Sequence, residues 1–306
     1  MIYKKLLPLL IPALFVPATV LAANVDELLH KAEVADKHVS YRGTKNATFY
    51  FAGRQTSARF KVVHMMPDLT RTEYFSPEAL SGMIVIQDGA RFWKYCPRQS
   101  VWEESACRLT MPLDAIYEKT LENYEIRLVG TDNVAGRTTY VIQALPRSRL
   151  DSARRVWIDK DCYLVMRSQV ESPHGAIVNS SDFATIEINP GNISKSAFAV
   201  KGKIRPACRA RKGHCDVTKP KYLPKGYRLV GVSTLSADGC CSAHMQFSNG
   251  ANVISLFQRR ASKNSPPTRV KSKITKVLTW ARHGVQFTLM GDVPMSELRK
   301  IADSTP

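Results

Sequence analysis

The sequence predicts a mainly β protein of the α+β class, built from two unequal domains. Its 306 residues exceed the usual size of one domain, and a basic stretch over residues 191–220 separates two regions of alternating apolar and polar residues. That alternation is the period of a strand with one buried face, whereas helical spacing is confined to three short segments. We therefore expect an N-terminal half-barrel of antiparallel strands with helices, followed by a smaller C-terminal antiparallel sheet with a terminal helix.

The first 23 residues have the features of a signal peptide. Lys4 and Lys5 precede an uncharged apolar run over residues 6–16, and residues 20–22 (VLA) supply the small side chains that a signal peptidase reads. The apolar run is shorter than the roughly 20 residues that span a bilayer. We expect cleavage after residue 22 or 23, and a mature protein that is exported and soluble.

Residues 24–190 are predicted to form the first domain. Over residues 25–39 apolar positions recur every three or four residues, and Asp26 and Glu27 occupy the first turn, where the helix dipole favours acids. This pattern predicts a helix, and a second helix is predicted over residues 112–124. Strands are predicted from alternation and from turn residues over residues 48–51, 58–63, 71–75, 83–86, 91–95, 127–129, 138–145, 155–159, 163–171 and 182–188.

Residues 221–306 are predicted to form the second domain, after a basic linker over residues 191–220. Pro224 and Gly226 favour a tight turn into a strand. The tripeptide at 248–250 (SNG) favours a hairpin loop between two strands. Pro294 precedes a short amphipathic segment that predicts a terminal helix over residues 295–302.

The chain contains seven cysteines, which fit an oxidising compartment, although an odd number leaves at least one thiol unpaired within the chain. Cys96 and Cys107 bracket a short segment between two aromatic-rich strands, and Cys208 and Cys215 bracket a basic loop. From this proximity alone, a Cys96–Cys107 and a Cys208–Cys215 disulfide are predicted. Whether Cys162 pairs with one of the adjacent cysteines at 240 and 241 stays open.

The formal net charge is +18, and residues 259–276 contain seven basic residues and no acid. Such a cluster attracts acidic or phosphorylated partners and anionic surfaces. A solvated loop kept soluble by its charge is the alternative interpretation. Nucleic acid is not an expected partner of an exported protein. The candidate residues for a partner or an anionic ligand are Arg259, Arg260, Lys271, Lys273 and Lys276.

The sequence carries no signature of a common class of enzyme. It has no HExxH, no GxSxG, no P-loop and no GxGxxG that opens a helix after a strand. The groupings of His214 with Cys208 and Cys215, and of His244 with the cysteines at 240 and 241, lack the paired ligand spacing of zinc sites. We therefore predict a binding protein that is not an enzyme, with no catalytic residue, no metal and no cofactor.

Three segments of the second domain occur in an order that resembles the C-terminal domain of the RseB/MucB family. They are YLPKGYRLV at 222–230, HMQFSNGANVISLFQ at 244–258 and GVQFTLMGDVP at 284–294. The cysteine-rich basic linker and the long basic run after residue 259 depart from what we expect of that family.

The first domain is similar in pattern to the N-terminal domain of the same family, which is related in fold to the lipoprotein carriers LolA and LolB. The similar segments are VAGRTTYVIQA at 134–144, RRVWIDKDCYLVMRSQV at 154–170 and IVNSSDFATIEIN at 177–189. Together the two resemblances cover nearly all of the predicted mature chain.

The resemblance implies a periplasmic regulator of a sigma-E-type envelope stress factor. Members of the family bind the periplasmic part of a membrane-spanning anti-sigma factor, RseA or MucA, chiefly through the second domain, and shield it from proteolysis. Release is expected when a lipid-like or lipopolysaccharide ligand engages an apolar cleft of the first domain. The alternative is a periplasmic lipid or lipoprotein carrier of LolA type. The sequence does not decide between a monomer and a homo-oligomer.

Overall fold

The computed structural model describes residues 25–51, 54–109, 113–205, 217–237, 240–261 and 276–306. Several predictions from the sequence fall outside this part of the chain. They are the signal peptide over residues 1–23, the Cys208–Cys215 disulfide, and the candidate binding residues Lys271 and Lys273.

The described residues form three α-helices and seventeen strands. The helices are α1 (Val25–Val34), α2 (Leu113–Asn123) and α3 (Met295–Asp303). The first twelve strands are β1 (Tyr41–Phe51), β2 (Arg54–Met65), β3 (Leu69–Ser76), β4 (Ile84–Asp88), β5 (Arg91–Cys96), β6 (Val101–Leu109), β7 (Tyr124–Val134), β8 (Arg137–Pro146), β9 (Ala153–Asp159), β10 (Val165–Glu171), β11 (Ile177–Ile188) and β12 (Ile204–Arg205). The last five are β13 (Arg228–Ala237), β14 (Cys240–Ser248), β15 (Val253–Arg260), β16 (Lys276–Arg282) and β17 (Val285–Gly291).

Strands β1 to β11 form one large antiparallel sheet, which we call the first sheet. Its order is β7, β8, β9, β10, β11, β1, β2, β3, β4, β5, β6. Strand β1 lies in the middle because it pairs with β2 on one side and with the distant β11 on the other, where Tyr41 faces Ile188. The predicted N-terminal half-barrel of antiparallel strands is confirmed.

Helix α1 covers part of the first sheet with the apolar face that its sequence predicts. Leu28 is buried against Ile142 of β8 and Ile158 of β9. The helix ends at Val34 and continues as one 3-10 turn over Ala35–Lys37. A second buried cluster includes Tyr41 and lies across β1, β2, β7, β8, β9, β10 and β11.

The first part of the predicted linker lies against the first sheet. Phe198 is buried with Ile86 of β4 and Trp102 of β6, and Ile193 and Val200 pack around them. Strand β12 then pairs in parallel with β6, and the indole of Trp102 donates a hydrogen bond to the carbonyl of Lys201 at 2.9 Å. The sequence did not predict this contact, because the stretch is rich in basic residues and its few apolar residues follow neither the strand period nor the helix period.

The second domain is a smaller antiparallel sheet, the second sheet, in the order β13, β14, β15, β17, β16. Leu298 and Ile301 of α3 are buried in one cluster with Phe247 and Leu289 of the sheet. The predicted smaller sheet with a terminal helix is confirmed, as is the hairpin loop after Ser248. Strand β13 also pairs with β6, where Gly231 faces Leu109, so the two sheets meet along one edge.

The predicted Cys96–Cys107 disulfide is wrong. Cys96 is a free thiol that faces Val101 at the turn between β5 and β6, whereas Arg91 faces Ala106 at the far end of the same hairpin. Cys107 lies six residues beyond Val101 along β6, and each strand residue adds about 3.3 Å. The two Cα atoms are therefore much farther apart than the roughly 7 Å that a disulfide can bridge. Closeness in sequence was misleading because Cys96 lies at the turn of the hairpin, whereas Cys107 lies at the open end.

We expect replacement of Phe198 by alanine to lower the free energy of unfolding by about 3 kcal/mol, because a buried aromatic side chain would be removed from between Ile86 and Trp102. Urea denaturation measures the change. The control is Lys195→Ala in the same exposed turn, for which we expect less than about 0.5 kcal/mol. Equal small losses for both variants would show that residues 191–205 do not belong to the first domain's core.

Candidate functional site at the domain junction

The two domains are joined by a buried hydrogen-bond cluster. The Asn252 amide donates to the hydroxyl of Tyr124 at 2.9 Å and to the carbonyl of Ser152 at 3.1 Å, and Tyr124 donates to Oδ1 of Asn249 at 3.2 Å. These side chains are almost fully buried: Tyr124 is 1%, Asn249 0% and Asn252 5% exposed. A shift of one domain along the other would leave these groups buried without partners, at a cost of about 1–3 kcal/mol each, so the cluster fixes the relative position of the domains.

A second buried contact joins the loop before β9 to the start of the second domain. The Tyr227 hydroxyl donates to Oδ1 of Asp151 at 2.9 Å. Burial raises the pKa of the Asp151 carboxyl, and the hydrogen bond from Tyr227 opposes this shift. Burial and the nearby Asp151 charge raise the pKa of Tyr227, so the phenol keeps its proton and acts as the donor.

The loop between β14 and β15 approaches α2 so closely that its tip requires glycine. Gly250 has a φ of +106°, and a Cβ at this position would lie 2.4 Å from the backbone nitrogen of Thr120. The neighbouring Asn249 carbonyl accepts a hydrogen bond from the Asn123 side chain at 2.9 Å. The sequence identified this tripeptide as a hairpin loop, but not as the part of the second domain that contacts the first.

Two concave sites lie at this junction. The first, which we call the junction cavity, has a volume of about 100 Å3 and is largely apolar. Its walls come from both domains: Leu29, Thr120, Ile126, Ile142, Ala144, Arg154 and Val156 of the first, and Gly250 and Ala251 of the second.

The second site, the junction groove, has a volume of about 280 Å3 and is lined by Arg149, Leu150, Ser152, Ser172, Pro173, His174, Val178, Lys276, Asp292 and Pro294. Arg149 and His174 are exposed, and Leu150 is 47% exposed. Burial lowers the pKa of the Lys276 ammonium, while the charge of Asp292 opposes this shift. The groove therefore combines basic side chains with an accessible apolar residue.

The structure separates the basic residues that the sequence grouped together. Lys276 begins β16 opposite Gly291, where it lines the junction groove and donates to the carbonyl of Val293 at 3.0 Å. Arg259 and Arg260 end β15 opposite Gln286 and Val285, at the other end of β17. The side chain of Arg259 donates to the Gln286 amide oxygen at 2.8 Å. The three described candidates therefore do not form one basic surface, because the length of β17 separates Lys276 from the two arginines.

The sequence missed a lysine that lies among aromatic side chains on the first sheet. Lys45 faces Phe60 on β2 and Phe183 on β11, so the three side chains lie on the same face of the sheet. Its ammonium group lies 4.4 Å from the centre of the Phe183 ring, and Phe60 contacts Tyr74 at a ring distance of 5.1 Å.

Burial lowers the pKa of Lys45, and the charges of Asp36 and Asp182 oppose the shift. This site had one signal in the sequence, since Lys45 has the same strand parity as the buried Tyr41. A basic residue at a position of core parity is a reason to look for a ligand or a buried partner.

None of the helices in the described ranges combines the length and apolar character needed to cross a bilayer.

A family model described as the MucB/RseB N-terminal domain matches residues 24–202. The chain is 22% identical over 191 residues to the sigma-E factor regulatory protein RseB of Haemophilus influenzae, an alignment that covers 61% of this chain and 61% of that protein. The chain thus spans less than two thirds of that relative. It is also 23% identical over 315 residues to the sigma factor AlgU regulatory protein MucB of Pseudomonas aeruginosa, which covers 97% of this chain and 95% of that protein.

Solved structures share the two-domain fold. The crystal structure of MucB superposes with a TM-score of 0.66 at 17% identity, over 92% of this chain and 98% of that chain. The structure of the Pseudomonas aeruginosa MucA/MucB complex gives a TM-score of 0.64 at 17% identity, over 92% of this chain and 97% of that chain.

We expect Gly250→Ala to disrupt the junction, because its methyl group would overlap the Thr120 backbone. The matched control is Gly202→Ala, since Gly202 has a φ of +108° and no atom within 4 Å of the added Cβ. Both variants should lose about 1–2 kcal/mol from backbone strain, and only Gly250→Ala should loosen the contact between the domains. Small-angle scattering and limited proteolysis measure that difference. Identical behaviour of the two variants would contradict the tight contact.

Proposed function

Because this chain belongs to the MucB/RseB family, we propose that it is a periplasmic regulator that binds the periplasmic segment of an anti-sigma factor. Its match to MucB extends over 97% of the chain, which supports a similar role for both domains. A solved complex joins MucB to MucA, and this supports a partner of the same kind. The absence of enzyme motifs from the sequence agrees with a protein that works by binding.

The junction groove gives the main structural support for this proposal, because its walls come from both domains. Arg149 of the first domain and Lys276 of the second give it two positive charges against the one negative charge of Asp292, so it suits a segment with acidic side chains. The exposed Leu150 side chain offers an apolar contact beside these charges. A segment bound there would bridge the two domains and would be sensitive to any change in their arrangement.

Shielding from proteolysis follows from this mode of binding. A protease needs its substrate in an accessible, extended form, and a segment held in the groove is not free to adopt that form in a protease cleft. The protection needs no catalytic residue, and it depends only on the affinity of the closed complex.

We propose that an anionic lipid-like ligand, such as lipopolysaccharide, regulates release through the first sheet. Lys45 would contact the anionic group, and the half-buried rings of Phe60 and Tyr74 would contact acyl chains. The lowered pKa of Lys45 reflects burial that an anionic ligand would offset. A ligand with a higher affinity for the released state shifts the equilibrium away from anti-sigma binding, and the coupling is reciprocal.

Added negative charge in the groove tests the partner site. We expect Arg149→Glu combined with His174→Glu to weaken binding of the cognate anti-sigma segment by about tenfold, because both side chains line the groove and are exposed. Isothermal titration calorimetry at low and high salt measures the effect, which should shrink as salt screens the charges.

The control for the groove variant is Arg98→Glu, which changes an exposed arginine at the turn between β5 and β6. Arg98→Glu should bind the segment as the unmodified protein does. In both proteins the bound segment should resist the protease that degrades the anti-sigma factor. A full-length protein that binds no anti-sigma segment would contradict the proposed function itself.

Removal of the buried ammonium tests the lipid site. We expect Lys45→Met to weaken binding of dodecyl phosphate by about tenfold, since a hydrogen bond to a charged group is lost. The control is Lys61→Met, because Lys61 is exposed and follows Phe60 on the opposite face of β2. Tryptophan fluorescence or calorimetry measures both. Equal affinities for the two variants would remove Lys45 from the site, and lipid binding with no effect on the anti-sigma segment would favour a LolA-type carrier.

A further inference from the structure

Arg154 in the wall of the junction cavity has a buried side-chain nitrogen, Nε, without a hydrogen-bond partner among the described residues. Burial lowers the pKa of its guanidinium, and the Tyr124 hydroxyl and the Asp292 charge oppose this shift. Arginine nevertheless stays protonated, because its ordinary pKa is above about 12. A cation in this position gains stability from any anion that reaches it.

The remaining walls of the cavity are chiefly apolar. Leu29, Ile126, Ile142 and Val156 line the cavity together with Arg154, and Thr120 is the one residue of the lining with a hydroxyl group. A multiply charged anion such as phosphate needs several donors or cations, and these walls do not provide them. A carboxylate suits the site better, because one guanidinium can bind both of its oxygens through parallel hydrogen bonds.

The size of the cavity limits the apolar part of a ligand. Its volume of about 100 Å3 is less than the ~150 Å3 of a cavity that holds one benzene molecule. A few carbon atoms therefore fill it, and a long acyl chain does not fit. This separates the cavity from the lipid-like ligand discussed above, which would need a larger apolar surface.

We propose that the junction cavity binds the carboxylate of a short apolar group, with Arg154 as the residue that holds both oxygens. The ligand is either a free short-chain acid or the carboxyl-terminal residue of a peptide, since both present the same chemistry. Gly250 and Ala251 of the second domain complete the walls, so the bound group contacts both domains. A ligand that binds only the closed junction stabilises it by mass action. The existence of this site does not depend on whether an anti-sigma segment binds the junction groove.

Titration of the full mature chain with four compounds tests the proposal. Valerate represents the free acid, N-acetylvaline the peptide terminus, and valeramide the neutral isostere, while dodecanoate tests the length limit. We expect at least one of the two short carboxylates to bind with a dissociation constant on the order of 1 mM. Valeramide should bind at least about tenfold more weakly. Dodecanoate, which the Lys45 site would also bind, should not displace the short carboxylate from the cavity. Short carboxylates that bind no better than valeramide would overturn the proposal.

Two arginine variants assign the binding to this site. Arg154→Gln should lose at least about tenfold in carboxylate affinity. Arg155→Gln should retain it, because Arg155 is the next residue of β9 and does not line the cavity. Equal retention by both variants would refute the role of Arg154. If Arg154→Gln does not fold, the 15Nε resonance of Arg154 in the unmodified protein must shift on titration with the carboxylate that binds, and an unchanged resonance would refute the proposal.

Discussion

Buried hydrogen bonds between Tyr124, Asn249 and Asn252 hold the second domain in one position on the first. Apolar contacts alone allow some sliding, whereas buried amide and hydroxyl groups tolerate few alternative arrangements because each loses a partner when it moves. The loop that carries Asn249 and Asn252 also carries Gly250, whose backbone touches α2. One short hairpin loop therefore positions the walls of both concave sites at the junction.

The outer edge of β6 explains how the chain passes from one domain to the other. This strand pairs with β5 on one side, and on the other side it pairs with β12 near Trp102 and with β13 near Leu109. The edge that would be exposed in an isolated first domain is thus used twice. Occupied edges resist unwanted pairing with other chains, and they also tie the end of the first domain to the start of the second.

A regulator that works by binding needs sites whose affinities depend on the same relative position of the two domains. Asp292 lines the junction groove, and its charge also acts on Arg154 in the wall of the junction cavity. An acidic segment near Asp292 and a carboxylate at Arg154 would therefore influence each other electrostatically as well as through domain position. Such coupling requires no catalytic group, only two states of the junction that differ in affinity.

The sequence by itself determined the local elements and the family. Alternation identified most strands, the spacing in residues 25–39 identified α1, and the tripeptide at 248–250 marked a hairpin. These features are local because they depend on the period of one segment. Their extent was less certain: β1 begins seven residues before the predicted strand, because pairing with β2 and β11 extends it beyond the alternating stretch.

Only the tertiary structure decided which distant side chains meet. It placed Lys276 and Arg259 at opposite ends of the second sheet, left Cys96 far from Cys107 along their hairpin, and brought Arg154 and Gly250 into the wall of one cavity. The physical reason is that strand register and the docking of one domain on another depend on contacts between residues about a hundred positions apart. A local pattern carries the period of a strand but not the identity of the neighbour it pairs with.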